Sequence, residues 1–128
     1  MKTDNLVPIF ASHEAVKLAY LFGSHAQGQA GPLSDYDFGV YLEETTDKSK
    51  MFDIRLALMA ALARALKQDS VDVVVMNTTD SPELKYDVIS QGKLLFEREP
   101  FRILVEPQIL NEYFDFRDSL RRYGLTKA

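Results

Sequence analysis

The sequence predicts an α/β (α+β) domain, a small mixed sheet with helices packed on it. Three observations predict it. Short β-branched and aromatic runs recur at 16–22, 36–42 and 71–76. Between and after them lie longer stretches rich in Ala, Leu and Met with three-four apolar spacing. The Pro and Gly residues fall between these periodic segments, where connections belong. The resulting order, β-α-β-α-β-α-β-α, is that of helices alternating with strands.

Asp4 to Phe10 forms a short N-terminal helix in this reading, with Pro8 counting against its length. Val16 to Phe22 is a buried strand that stops at Gly23-Ser24. Ser24 is a good N-cap, so a short helix is expected from there to near Gly28. Gln29 to Ser34, with Ala30-Gly31-Pro32, is a loop. In the strand Tyr36 to Leu42, Phe38, Val40 and Leu42 alternate to one face, and Asp35, Asp37 and Gly39 to the other. Thr46 or Asp47 caps a helix over Met51 to Lys67, whose buried stripe is Ile54, Leu58, Ala61, Leu62 and Ala65. Five of the six residues of Val71 to Met76 are apolar, the pattern of a central strand covered on both sides. Pro82 to Gln91 is a helix with proline in its first turn and Gly92 past its end. Lys93 to Glu97 is a short strand, and Pro100 to Tyr123 a C-terminal helix that Pro107 threatens to kink or break.

With 128 residues, 46% hydrophobic and 27% charged, the chain is read as one globular domain, 1–128. A net charge of -4 makes it a poor binder of bulk nucleic acid, whose affinity comes mostly from phosphate contacts. No cysteine is present, which excludes disulfides, zinc-thiolate sites and thiol nucleophiles. Only His13 and His25 are histidines, too few for a His-based metal cage. No apolar run approaches the roughly 20 residues that span a bilayer, and no signal peptide is legible. The expectation is a cytoplasmic protein without membrane contact.

The chemistry is expected from three aspartates. Asp72 lies within a valine strand, and an ionised carboxylate buried alone is very costly, so it should be paired, hydrogen-bonded or metal-bound. Asp35 and Asp37 are two apart and share a face, and would repel each other without a cation between them. Three carboxylates with no Cys and little His make an all-oxygen site, which favours hard ions such as Mg²⁺ or Mn²⁺. Gly23-Ser24 ends a strand, where glycine lets a phosphate approach the backbone and the serine hydroxyl and nearby amides can donate to it. Each feature alone has a plainer explanation as a turn, a cap or an exposed strand edge. The combination carries more: a strand, Gly-Ser, the ten residues His25 to Ser34, Asp-x-Asp on a strand, and a further Asp on a third.

These residues resemble the nucleotidyltransferase superfamily related to DNA polymerase β. Gly23-Ser24-His25-Ala26-Gln27-Gly28 through Ser34-Asp35-Tyr36-Asp37, and the later Tyr86 to Phe96 segment, look like its minimal members, in particular MntA-type antitoxins encoded beside HEPN-domain toxins. The resemblance runs over roughly residues 10 to 100. It implies a nucleotidyltransferase fold. It also implies that Asp35 and Asp37 bind two divalent ions, that Asp72 contacts the ion that activates the acceptor, and that Gly23 and Ser24 hold the triphosphate of ATP. Members of this type transfer AMP to a tyrosine of the partner toxin and silence its ribonuclease activity. Many carry Arg where this chain has Gln27, which removes a cation near the phosphates or the partner surface.

The expected chemistry is therefore a two-metal in-line displacement on the α-phosphorus, with pyrophosphate leaving. So small a domain has little with which to hold an acceptor, which favours a protein that brings its own docking surface. Transfer to a small hydroxyl compound such as an aminoglycoside would need the same aspartates. An idle antitoxin that works by binding alone is the reading outside enzymology. The aromatic and basic segment Tyr113 to Tyr123 is either a partner contact or a helix packed on its own domain.

Overall fold

The computed structural model describes residues 3–31 and 34–124; Pro32, within the expected loop, lies outside them. A 3-10 turn over Asp4–Leu6 runs into α1 (Val7–Ala11), with Pro8 in its first turn, where a missing N–H costs nothing. Then follow β1 (Val16–Phe22), β2 (Tyr36–Leu42), α2 (Lys48–Leu66), β3 (Val71–Val75), α3 (Pro82–Gln91), β4 (Lys93–Glu97) and α4 (Phe101–Arg122).

The four strands form one mixed sheet in the order β3-β2-β1-β4. β1 is antiparallel to both neighbours, whereas β2 and β3 are parallel. A parallel pair needs a crossover, and α2 supplies it. Asp47 caps α2 by accepting from the Lys50 amide at 2.8 Å. Its buried side chains Met51, Ile54, Leu58 and Leu62 hold the helix against one face of the sheet. Burying a leucine such as Leu58 or Leu62, both fully buried, contributes about 1.5–3 kcal/mol each.

That face, with Ala19, Leu21, Phe38, Val40, Leu42, Val71, Val73 and Val75, forms one core layer under α1 and α2. The opposite face, with Leu18, Tyr20 and Met76, packs under Val88 of α3 and Val105 and Ile109 of α4. Gly39 makes the close approach of α3 possible: a Cβ there would lie 2.9 Å from Val88 Cγ1. The Tyr20 hydroxyl donates to Glu106 of α4 at 2.6 Å, so this layer has a polar tie as well.

Ala65, expected in the buried stripe of α2, is exposed, and three larger expectations need correction. The strand covered on both faces is β1, flanked by β2 and β4, while β3 is an edge strand. Its burial alternates, with Val71, Val73 and Val75 turned to α2 and Asp72 and Val74 half-exposed. Valine-rich composition records one well-packed face here and not two. Between β1 and β2 there is no helix: residues 24–28 form turns. One turn of backbone fixes several dihedrals for a single hydrogen bond, and Gly28, with φ of 71°, diverts the chain before a second turn can add to it. Finally, α4 is continuous through Pro107. Pro107 is exposed, so the carbonyl left without its partner faces solvent.

Candidate active site

The end of β1 and the starts of β2 and β3 meet at one end of the sheet. Phe22 pairs with Asp37, and Asp37 pairs with Asp72 across the parallel ladder. Strand pairing therefore sets Asp37 and Asp72 side by side, at the roughly 4.8 Å spacing of neighbouring strands. The ladder is extended past Asp37 by Tyr36, whose amide donates to the Ser70 carbonyl at 2.9 Å. Both carboxylates lie on the face that α3 and α4 cover further along, over Gly39 and Met76.

Gly23 follows β1 with φ of 76°, a conformation that disfavours any side chain. A Cβ there would also meet Asp37 Oδ2 at 2.6 Å. The glycine is thus required twice, by its backbone angle and by the carboxylate lying against it. The turn closes through Ala26 N–H to Gly23 O at 3.1 Å and Gln29 N–H to Ser24 O at 2.9 Å. His25 anchors the turn to β2: its ring stacks on Tyr36 at 3.6 Å, and Nε2 lies 3.1 Å from the Ser34 carbonyl. The sequence offered no sign of this role: Tyr36 continues the Phe38, Val40 and Leu42 face of β2, and nothing in the spacing pairs it with His25. Gln27 is exposed on the turn.

Asp35 precedes the first residue of β2 and is exposed. It does not stand in the ladder, yet its charge reaches Asp37. Burial raises the Asp37 pKa above the ordinary carboxylate value, and the negative charges of Asp72 and Asp35 raise it further, against a smaller lowering by His25. The three aspartates are one electrostatic group centred on Asp37. The side chains do not stand as a ready cage, however: among the described residues no three His, Cys, Asp or Glu are placed to hold one ion.

One contact that competes for Asp72 comes from Arg55, which sequence reasoning missed. It projects from α2, next to the buried Ile54, and its Nη2 donates to Asp72 Oδ1 at 3.0 Å. Its Nε donates to the Val73 carbonyl at 2.7 Å, on the open edge of β3. Asp72 is accordingly not the buried, lone carboxylate that a valine strand suggests: its side chain is half-exposed and ion-paired. The available signal was an arginine one residue off the apolar stripe of the helix that precedes β3. Arg55 and Asp72 also line a cavity of about 540 Å³ along the β3 edge, with Lys48, Phe52, Thr79 and Leu84.

The donor set fits hard divalent cations. It offers only carboxylate oxygens, and Asp37 carries repulsion from two like charges that a cation would relieve. Arg55 holds Asp72 through one oxygen only, and a pair at so exposed a site is worth little, of order 1 kcal/mol or less. No helix among the described residues is long and apolar enough to cross a membrane.

The profile of the family described as Polymerase beta, Nucleotidyltransferase matches residues 4–101. Among solved structures, a chain of a mutant MntA-HpeT toxin-antitoxin is 25% identical, with a TM-score of 0.79 over 96% of this chain and 95% of that one. A chain of a toxin-antitoxin with AMP-PNP is 27% identical, with a TM-score of 0.75 over 94% of each. A chain of the complex of a tri-AMPylated Shewanella oneidensis HEPN toxin with its MNT antitoxin is 25% identical, with a TM-score of 0.67 over 94% of this chain and 92% of that one. No curated protein matches the sequence.

Proposed function

The chain belongs to the polymerase beta nucleotidyltransferase family, and from that premise we propose that it is an antitoxin that transfers AMP from ATP to a tyrosine hydroxyl of a HEPN ribonuclease toxin and so silences it. The observation that carries this reading is the register pairing of Asp37 with Asp72 beside the Gly23 turn, within a chain similar to those of toxin-antitoxin complexes. One similar complex contains AMP-PNP and another a tri-AMPylated HEPN toxin, which supports ATP as donor and the toxin as acceptor.

Asp35, Asp37 and Asp72 would hold two divalent ions, Mg²⁺ or Mn²⁺, and these would supply charge neutralisation at the attacking and leaving oxygens. The chain's own groups do the rest. Gly23 leaves its backbone open to the triphosphate, and Ser24 donates its hydroxyl to a phosphate oxygen. The turn is held still by the His25–Tyr36 stack, so the phosphates meet a fixed surface. Asp72, which lines the β3-edge cavity, accepts the proton of the acceptor hydroxyl. The acceptor oxygen then bonds to the α-phosphorus, and the bond from that phosphorus to the oxygen bridging to the β-phosphate breaks. Pyrophosphate leaves with the electron pair. The reading is tested by incubating the chain with labelled ATP, Mg²⁺ and the HEPN protein, followed by mass spectrometry. Addition of AMP to a tyrosine is expected. Labelling of a small hydroxyl compound in place of the protein would overturn the acceptor. Full neutralisation of the toxin by an Asp35→Asn plus Asp37→Asn chain would overturn catalysis as the means.

A further inference from the structure

Helix α4 has two apolar faces, and only one of them is buried within the chain. Val105 and Ile109 are buried against the sheet, and Phe101, Tyr113, Phe116 and Leu120 continue that stripe at three-four spacing. At about 100° per residue, Ile103, Pro107, Leu110 and Phe114 recur at i, i+4, i+7 and i+11 and form a second stripe on nearly the opposite side. Ile103 is 76% exposed and Phe114 53%. Of the six large hydrophobic residues found exposed among the described residues, four (Ile103, Leu104, Phe114 and Tyr123) lie on α4 or at its end. Exposed apolar side chains gathered on one helix in this way mark an interaction site.

The helix is held firmly enough to present that stripe. Tyr20 ties it through Glu106, Lys85 of α3 pairs with Glu112 at 2.8 Å, and Tyr86 of α3 stacks on Tyr113 at 3.9 Å. Of the second stripe only Phe114 joins these contacts, edge-on to Tyr86 at 6.2 Å, and it remains 53% exposed.

The family profile ends at residue 101, where α4 begins, so the catalytic sheet is complete without this helix. The toxin-antitoxin chains behave differently. A match over 94% of 128 residues leaves about 8 unmatched, fewer than the 22 residues of α4, so those chains share most of the helix. What α4 adds to the family's common core thus accompanies a second protein. We propose that the outer stripe of α4 is the docking surface for the partner toxin, and that it receives an apolar surface of that partner. This rests on the proposed function for the identity of the partner, and not for the chemistry of the surface.

The test is a binding titration of the HEPN-domain protein with the wild-type chain and with an Ile103→Glu plus Phe114→Glu chain, both checked by light scattering and melting. We expect the wild type to be monomeric alone and to bind the HEPN protein. The variant should keep its melting temperature and bind at least ten-fold more weakly. Ile103→Ser plus Phe114→Ser, a milder pair, serves if the charged pair unfolds the chain. Unchanged affinity in a folded variant, or no binding by the wild type, overturns the proposal. So does a wild-type homodimer that the substitutions split, because the stripe would then be covered by a second copy. Binding by the wild type without AMP transfer supports the docking surface and removes the adenylyl-transfer reading. In a catalytically active pair, the variant should raise the KM for the HEPN protein ten-fold or more and leave kcat within about two-fold.

Discussion

Asp37 of β2 and Asp72 of β3 are direct partners in the parallel ladder, so two carboxylates are placed side by side by backbone register and need no loop to converge. The arrangement opposes folding in the absence of a cation. Burial and the charges of Asp72 and Asp35 raise the Asp37 pKa above its unfolded value. A group whose folded pKa is raised favours the folded state when protonated, and that contribution is lost as pH rises through the folded value. The metal-free protein should therefore lose stability from about pH 4, the ordinary carboxylate value, up to the raised Asp37 pKa. Asp37→Asn should flatten that slope, keep or raise the melting temperature at pH 7, and abolish AMP transfer. Melting curves across this pH range check it; a large drop in melting temperature for metal-free Asp37→Asn would contradict it.

The same repulsion predicts how metal acts. Mg²⁺ or Mn²⁺ should raise the melting temperature of the wild type, by mass action on the folded state, and leave that of an Asp35→Asn plus Asp37→Asn chain unchanged. Excess EDTA should stop nucleotide transfer. Activity that persists in EDTA would rule out the two-metal scheme.

Gly23→Ala tests the turn. A side chain at φ of 76° costs about 1–2 kcal/mol, and its Cβ would press on the Asp37 carboxylate. Asp37 can swing away, so the loss should fall more on catalysis than on stability. We expect a melting temperature lowered by a few degrees and transfer reduced more than ten-fold, measured with labelled ATP. Wild-type activity in Gly23→Ala would show that neither the approach of phosphate nor the placement of Asp37 matters.

Arg55→Met removes the group that holds Asp72 while keeping an unbranched stem on α2. The lost contacts are one half-exposed ion pair and one hydrogen bond to the β3 edge, together about 1 kcal/mol. The melting temperature should fall by roughly 2–8 °C for a domain of this size. With its competitor gone, Asp72 is free for metal, so the Mg²⁺ concentration for half-maximal transfer should fall. A rise would mean that Arg55 positions Asp72 for the metal instead of withholding it.

The sequence made the elements legible because each strand and helix carries its own period, and it made Gly23, Ser24, Asp35, Asp37 and Asp72 legible as a spacing. Strand order was not legible. The apolar run of β3 reads as central, yet parallel pairing with β2 alone leaves it at the edge, and only the burial alternation of Val71, Val73 and Val75 against Asp72 and Val74 records that. The pairing of Arg55 was hidden for a related reason: its partners are 17 and 18 residues away, and its place beside the apolar stripe of α2 shows a flank position but not what it reaches. The turn after Gly23 was overread, because a Ser N-cap signal specifies where a helix can start and not whether the chain has length enough to continue one.

Gly39 supplies the last prediction, since it lies on β2 two residues beyond Asp37 and on the same face. A Cβ there would stand 2.9 Å from Val88 Cγ1 and 3.3 Å from Cγ2, and Val88 is fully buried. Valine is stiff at χ1, so relief by rotation is poor and α3 must lift from the sheet. Overpacking of this kind costs about 1–3 kcal/mol. Gly39→Ala should lower the melting temperature accordingly, whereas Val88→Ala alone should destabilise through the cavity it leaves. In the double variant, the methyl that Gly39→Ala adds would partly fill the space that Val88→Ala vacates. The double substitution should therefore cost less than the two single ones together, by about 0.5–3 kcal/mol, as expected of contacting residues. Strict additivity in urea unfolding would mean that α3 does not rest on Gly39. Because α3 also carries Lys85 and Tyr86, which brace α4, Gly39→Ala should weaken partner binding more than it weakens ATP binding.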